Sequence, residues 1–199
     1  EIMEALEQKG YLENSIVIFT SDHADALGDH GHIQKWTMYD TVLRVPLIVW
    51  APKRVGKPTV IDTPMELMHV APTILDACGI DIPADWDAQS LWPCINGSGD
   101  VPGNGVVYAE LARDHIQTGA EFIIMRRDTE WKIVWYANEE DGELYNIQTD
   151  PGELNNLWFD GALKDLRDGL MTEIRDRTVV GMLHGQQVSV PKPQQPMDK

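Results

Sequence analysis

The stretch Ser15-Ile-Val-Ile-Phe-Thr-Ser-Asp-His23 decides the fold class of this chain. Residues 15–20 are mostly apolar or β-branched and offer no solvent-facing side, which predicts a fully buried strand of a parallel sheet. Asp22 and His23 follow directly, so we expect them just past the carboxyl end of that strand, where open α/β sheets place their ligands. A carboxylate and an imidazole are both metal-ligand types. The stretch therefore predicts an α/β fold with a candidate metal site at the sheet edge.

A lysine extends this candidate site. Lys35 follows Asp22 by 35 − 22 = 13 residues, across a loop rich in glycine and histidine. A bound cation and a fixed ammonium both stabilise charge on the oxygens of a tetrahedral anion. The residues leave the metal open, because calcium prefers oxygen ligands whereas imidazole suits zinc, manganese or iron better. The alternatives are a capping Asp beside a satisfied His, and a solvated surface lysine.

The composition is that of a globular protein and limits its partners. The chain has 199 residues, of which 43% are hydrophobic and 24% charged, with a net charge of −16. Such an acidic balance argues against nucleic acid or an anionic membrane surface as a partner. No stretch approaches the roughly 20 apolar residues of a membrane span. The same charge repels an anionic substrate at long range, so its pocket has to reverse the sign locally; otherwise the acidic excess is only a solvated surface.

The first region of the chain, residues 1–104, mixes helix and strand patterns. A helix is predicted over residues 1–10 and ends at Gly10. A second strand is predicted at 45–50, and a helix from Thr63 to Gly79. An irregular connector rich in proline, glycine and asparagine then runs to residue 104.

The second region, residues 105–180, has a different pattern. Four short β-type runs occur at 106–110, 121–126, 131–136 and 142–146, and residues 128–130 between the second and third predict a hairpin turn. Apolar residues at helical spacing over 159–176 predict a packing helix. Together they indicate a small antiparallel-sheet subdomain. The polar, Pro/Gln-rich tail from 181 to 199 is predicted to be extended.

Five segments, in order along the chain, resemble one known family. They are Thr20-Ser-Asp-His23 with Leu27-Gly-Asp-His-Gly31 and Lys35; Arg44-Val-Pro-Leu-Ile-Val49; Met68-His-Val-Ala-Pro-Thr-Ile-Leu-Asp-Ala-Cys-Gly-Ile80; Asp87-Ala-Gln-Ser-Leu-Trp-Pro93; and Glu143-Leu-Tyr-Asn-Ile-Gln-Thr-Asp-Pro-Gly-Glu-Leu-Asn-Asn-Leu157. In this order they resemble the sulfatase family of the alkaline-phosphatase superfamily, over residues 1 to about 160. The resemblance implies that residues 1–104 are the C-terminal part of an alkaline-phosphatase-like α/β domain, followed by the small subdomain with its packing helix.

The resemblance also implies roles for individual residues. Asp22 and His23 match metal ligands, usually of Ca²⁺, with Mn²⁺ or Zn²⁺ as alternatives. Lys35 matches the catalytic lysine that binds the sulfate group, and His32 is a candidate substrate contact. Asp29-His30 repeats the ligand pair, but in the family this segment shapes the loop rather than holding a second metal. Ala24 replaces the usual glycine, which places the local backbone geometry in question.

The nucleophile that the resemblance implies is absent from this chain. In the family it is a Cys or Ser in Cys/Ser-x-Pro/Ala-x-Arg, converted to formylglycine, and neither Cys78 nor Cys94 has that context. We therefore expect formylglycine upstream, with the upstream half of the same polypeptide as a partner. The expected function is a sulfuric ester hydrolase acting on a sulfated small molecule or glycan, with this fragment alone inactive. The alternatives are a phosphonate or phosphate mono- or diesterase of the same superfamily, and a non-catalytic domain.

Overall fold

The computed structural model of the protein describes residues 1–112 and 120–188. Among them, the α-helices are α1 (Ile2–Gln8), α2 (Asp40–Leu43), α3 (Val70–Ala77), α4 (Trp92–Ile95) and α5 (Lys164–Val188). The strands are β1 (Val17–Thr20), β2 (Leu47–Trp50), β3 (Val107–Ala112), β4 (Phe122–Arg127), β5 (Trp131–Tyr136) and β6 (Gly142–Asn146). Short 3₁₀ turns occupy Tyr11–Asn14, Asp29–Gly31, Leu67–His69, Pro102–Gly105 and Gly161–Leu163.

The first strand exists where the sequence predicts it, but its pairing differs. β1 and β2 form a two-stranded antiparallel sheet, with Phe19 opposite Ile48. The predicted parallel pairing is wrong for these two strands because the segment between them holds only one short helix, α2, whereas a parallel crossover usually needs a longer helix. The predicted complete burial of the first strand is also wrong, since Phe19 is 60% exposed and no residue of β1 is fully buried.

The predicted antiparallel subdomain is confirmed. β3, β4, β5 and β6 form one sheet in sequence order, and every neighbouring pair is antiparallel. The turn between β4 and β5 is made by Asp128, whose carboxylate accepts backbone hydrogen bonds from Glu130 and Trp131, each at 2.7 Å. A short acidic side chain that satisfies turn amides is a local signal, so the sequence sufficed to place this hairpin.

This sheet is covered on both faces. Successive side chains of a strand point to opposite faces. Ile124, Ile133 and Leu144 face α5, which adds Leu170 and Ile174 to one buried cluster. The other face carries a second cluster, which consists of Met38, Ala120, Ile123, Met125 and Val134. Met38 belongs to the segment that follows Lys35, so this cluster packs that segment against the sheet.

Two further boundaries differ from the sequence prediction. α5 continues to Val188, so residues 181–188 of the predicted extended tail are helical. The reason is that no proline interrupts the helical register before residue 191. The helix predicted from Thr63 begins only at the 3₁₀ turn Leu67–His69. Residues 189–199 lie outside the described residues, and the division between 1–104 and 105–180 stays a prediction.

Within the described residues, no helix combines the length and the apolar character needed to cross a membrane.

Candidate functional site

Asp22 and His23 lie together directly after β1. The Asp22 Oδ2 and His23 Nε2 atoms are 3.3 Å apart. His23 Nδ1 lies 2.9 Å from the carbonyl oxygen of Ala24, which can only accept a hydrogen bond, so Nδ1 is the donor. Nε2 is thus the ring nitrogen left beside the carboxylate, and its lone pair is the one that would bind a metal. Fixing one ring nitrogen on a carbonyl is the usual way in which proteins orient a metal-ligating histidine.

The Asp22 carboxylate is held in its ionised form. Its pKa is lowered chiefly by the backbone N–H of His23, then by its own N–H, and also by the positive charge that the neighbouring imidazole has when it is protonated. The Ser21 hydroxyl also contacts it, at 3.4 Å. The side chain is 83% exposed, so an anionic oxygen is available at the strand end.

The loop after this pair is closed by its own hydrogen bonds. Asp25 Oδ1 accepts from the backbone N–H groups of Leu27 and Gln34, both at 3.0 Å. The Ala26 N–H donates to the Gln34 carbonyl at 2.9 Å. Sequence reasoning missed Asp25; its signal was an acidic residue two positions before a left-handed turn, which is typical of an Asx turn.

The same loop stores backbone strain. Leu27, His30 and Gln34 adopt positive φ angles of 51°, 54° and 65°, although none is a glycine. Such conformations persist only where the surroundings over-determine them, and they concentrate at functional sites. Ala24 is not in this region, so the replacement of the family's glycine costs no strain there.

The structure does not connect Lys35 to the metal-ligand pair. Lys35 is exposed, and its Nζ lies 5.9 Å from the ring centroid of Trp36. No contact between Lys35 and either Asp22 or His23 is among those that the described part of the chain shows. His32 lies instead near Tyr39, with ring centroids 6.0 Å apart. The convergence of these side chains on one anion therefore stays a prediction.

His30 has a structural position that agrees with the predicted loop-shaping role. Its ring stacks on Tyr39 with centroids 3.8 Å apart and planes 4° apart. The ring centroids of Tyr39 and of Tyr145 on β6 are in turn 6.3 Å apart. Next to Tyr145, the Tyr136 hydroxyl donates to Glu143 at 2.7 Å, and burial raises the pKa of that carboxyl. No local sequence pattern predicts this polar cluster beneath the loop.

His69 is buried, and its Nδ1 accepts the Gln89 N–H at 3.0 Å, which is a structural role. His115 lies outside the described residues. Over residues 1–112 and 120–188, no group of three or more His, Cys, Asp or Glu side chains could hold a metal. Asp22 and His23 thus offer two ligands, which is part of a coordination shell.

Comparison with known proteins identifies the family. A family model described as the C-terminal part of N-sulphoglucosamine sulphohydrolase matches residues 28–179, more than half of the chain. The chain belongs to this sulfatase family. It is 31% identical over 163 residues to an N-acetylglucosamine-6-O-sulfatase of Bacteroides thetaiotaomicron, and 31% identical over 160 residues to a choline-sulfatase of Rhizobium meliloti. Each alignment covers 79% of this chain, but only 29% and 30% of the relative.

Solved sulfatase structures share the fold. A putative sulfatase from Bacteroides thetaiotaomicron superposes with a TM-score of 0.82 at 24% identity, over 96% of this chain and 42% of that one. A protein solved in complex with its substrate D-glucosamine-2-N,6-O-disulfate gives a TM-score of 0.79 at 24% identity, over 98% and 39%. A phosphonate monoester hydrolase from Silicibacter pomeroyi gives 0.78 at 26% identity, over 89% and 37%. The predicted α/β fold of the alkaline-phosphatase type is confirmed.

Proposed function

We propose that this chain is the C-terminal portion of a sulfuric ester hydrolase, to which it contributes metal ligands and a sulfate-binding lysine. The observation that carries the proposal is the oriented Asp22–His23 pair at the end of β1, in a chain of the sulfatase family. The strained loop that follows supports it, because closed loops with several non-glycine residues at positive φ are typical of functional sites.

The ligand pair fits a divalent cation. Two ligands bound at right angles to one ion, each at about 2.3–2.5 Å, lie about 3.3–3.5 Å apart, and the 3.3 Å between Asp22 Oδ2 and His23 Nε2 is within this range. We propose Ca²⁺ as the ion, with Mn²⁺ or Zn²⁺ as the alternatives that an imidazole ligand leaves open. Such an ion supplies Lewis-acid stabilisation of the sulfate oxygens. Asp22, ionised and exposed, and His23, with Nδ1 occupied by Ala24, are the residues that would hold it.

The two remaining predicted residues bind the substrate. Lys35 has an ammonium group on a flexible stem in an otherwise acidic chain, and we assign it to the sulfate group. In the transition state of S–O cleavage, charge grows on the sulfate oxygens and the leaving alcohol, so an ammonium there favours the transition state over the ground state. His32, close to Lys35 in the chain and beside Tyr39, is assigned to the substrate's organic part.

The nucleophile and the rest of the pocket are proposed to come from the upstream half of the same polypeptide, as formylglycine. An uncovered apolar face supports such a partner. Phe19 and Ile48, paired across β1 and β2, are 60% and 58% exposed, whereas Ile18 and Val49 line a narrow gap with Val70 on the other face. The chain also spans only 29% and 30% of the sulfatases to which it aligns. Covering the exposed part of Phe19 would contribute about 1–2 kcal/mol.

The relatives suggest the substrate class. One relative is named an N-acetylglucosamine-6-O-sulfatase, after a sugar, and another a choline-sulfatase, after a small alcohol. We therefore propose a sulfated small molecule or glycan. The specific alternative is a phosphonate monoester, because a phosphonate monoester hydrolase is similar at 26% identity.

The test is turnover by the complete polypeptide and its Lys35→Ala variant. Aryl sulfate, aryl phosphate and phosphonate monoester are compared at equal concentration. We expect sulfate ester hydrolysis to dominate, and Lys35→Ala to lower kcat/KM by about 10²–10³-fold, the usual cost of removing one charge-stabilising donor. The matched control is Lys57→Ala, which removes an exposed loop lysine outside the site and should change nothing. Equal activity of wild type and Lys35→Ala would remove Lys35 from the mechanism, and preferred phosphonate hydrolysis would select the alternative.

A further inference from the structure

A fully buried lysine lies under the loop that carries Lys35. Lys132, on β5, has no exposed side-chain surface, and its Nζ contacts Asp40 Oδ1 at 3.0 Å and Glu153 Oε1 at 2.5 Å. Asp40 Oδ2 also contacts Arg127 of β4 at 2.6 Å. These four side chains, Asp40, Arg127, Lys132 and Glu153, are called the ion quartet below.

The ion quartet balances its charges in a place where an unbalanced charge is costly. It contains two cations and two anions, and Asp40 contacts both cations. Glu153 is 3% exposed and adopts a positive φ of 54°, a conformation that a non-glycine residue keeps only when its contacts hold it. A buried pair of this kind is weak support for stability, because desolvation offsets the attraction, but loss of one partner leaves an uncompensated charge.

The quartet fixes both the backbone and the side chain of residue 40. The Asp40 N–H donates to Glu153 Oε2 at 2.7 Å, and the Asp40 carboxylate holds Lys132 and Arg127. Asp40 thus contacts β4, β5 and the loop after β6. Lys132 is 92 residues and Glu153 is 113 residues away from it in the sequence. A single residue with contacts on three sides has little freedom to shift.

Short steps lead from Asp40 to the candidate site. Lys35 precedes Asp40 by five residues, and Met38 between them is buried in the sheet's second cluster. Tyr39, adjacent to Asp40, stacks on His30 in the strained loop. The loop itself is closed by Asp25. The contacts of residues 38–40 with the sheet therefore determine the position of this loop relative to the sheet.

A second ion cluster, on the other face of the sheet, provides an internal comparison. Arg126, next to Arg127 on β4, points to the α5 side, where it contacts Asp128 and Glu173. Arg126 is 5% exposed, whereas the side chains of Asp128 and Glu173 are 26% and 48% exposed, so only the guanidinium of this cluster is buried. It joins the same strand to α5, however, and its ion pairs within the described residues involve no residue of the segment 22–40.

We propose that Asp40 is a positioning residue for sulfate ester hydrolysis: through the ion quartet it fixes the segment that presents Lys35. This inference rests on the proposed function for its catalytic part, and on the quartet's geometry for its positional part. A displacement of about 1 Å in a catalytic group lowers rate by about 10²-fold. The quartet is therefore the means by which the C-terminal sheet influences chemistry at the end of β1.

The experiment compares Asp40→Asn with Glu173→Gln in the complete polypeptide. Both substitutions neutralise one carboxylate of an ion cluster on β4, on opposite faces of the sheet. Activity is measured on aryl sulfate, per folded molecule, well below the melting temperature of each variant. We expect Asp40→Asn to lower kcat by about 10²-fold with KM within about threefold, and Glu173→Gln to leave both within about twofold. Equal losses in the two variants, or unchanged kcat in Asp40→Asn, overturn the proposal.

Hydrogen exchange of residues 27–38 supplies a readout that does not depend on activity. We expect Asp40→Asn to speed exchange there by at least about tenfold, and Glu173→Gln to leave it unchanged; unchanged exchange in Asp40→Asn overturns the proposal. If the wild-type protein has no sulfatase activity but Asp40→Asn still speeds exchange, the proposed function is contradicted while the positional inference is supported. If Asp40→Asn does not fold, Arg127→Gln replaces it in both measurements. The Arg127 side chain is 16% exposed, and the contacts of Lys132 with Asp40 and Glu153 remain in this variant.

Discussion

Gly142 is the position where one added methyl group tests the packing of the C-terminal subdomain most directly. A Cβ at this position would lie 2.5–2.6 Å from three carbons of the Trp158 ring, Cη2, Cζ3 and Cε3. Carbon atoms pack at about 3.5–4.0 Å, so the ring has to move by about 1 Å. Gly142→Ala is therefore a substitution that the fold can accept only by displacing Trp158.

Trp158 is held too firmly to move freely. It is 7% exposed and belongs to the core cluster that joins the sheet to α5. Its Nε1 donates to the Glu140 carbonyl at 3.2 Å, the Arg167 guanidinium lies 5.3 Å from its ring centroid, and Arg167 donates to its carbonyl oxygen. Overpacking costs about 1–3 kcal/mol and a lost hydrogen bond about 0.5–1.5 kcal/mol. We expect a total of about 2–4 kcal/mol.

The assay is thermal and urea unfolding of the 199-residue chain. A loss of this size lowers Tm by about 5–15 °C in a chain of this length. The control is Gly169→Ala on α5, where an added Cβ meets no atom within 4 Å and the helix gains about 0.5–1 kcal/mol. A double variant with Trp158→Leu should recover part of the loss relative to additivity. If Gly142→Ala and Gly169→Ala have the same Tm, the close approach of Trp158 to Gly142 is wrong.

Three further predictions concern separate parts of the chain. Burial lowers the pKa of His69 below its ordinary value of 6.5, so the unfolded chain takes up the proton first and stability falls as pH drops below about 6.5. His69→Asn keeps a hydrogen-bond acceptor but does not titrate, so the urea midpoint of this variant should depend less on pH between about 7.5 and 5 than that of the wild type. Ile174→Ala, at a fully buried position of α5, should cost about 2–5 kcal/mol in urea unfolding, whereas Val179→Ala, 56% exposed on the same helix, should cost less than about 0.5 kcal/mol. Asp25→Ala removes two hydrogen bonds that together contribute about 1–2 kcal/mol, so it should speed hydrogen exchange of the loop by about 5–30-fold. Asp25→Asn keeps an acceptor oxygen, and its exchange should stay near that of the wild type.

The elements that the sequence predicted are those whose causes are local. Gly10 ends α1 in the left-handed conformation, Asp128 forms the turn of the β4–β5 hairpin, and the spacing of Leu170 and Ile174 gives the buried face of α5. In each case the deciding residues lie within a few positions of one another, so the pattern already contains the interaction. Asp22 and His23 belong to the same class, because adjacent residues after a strand lie close together in any fold that keeps the strand.

What only the tertiary structure decided depends on residues that are far apart in the chain. Lys132 reads in the sequence as a polar position in the strand Trp131–Tyr136, yet it is fully buried, because Asp40 and Glu153 reach it from 92 residues before and 21 residues after. The antiparallel pairing of β1 with β2 is equally non-local, since a strand's apolar run does not encode the direction of its neighbour. Burial of a charge and choice of a strand partner are properties of the assembled fold, and a local pattern contains neither.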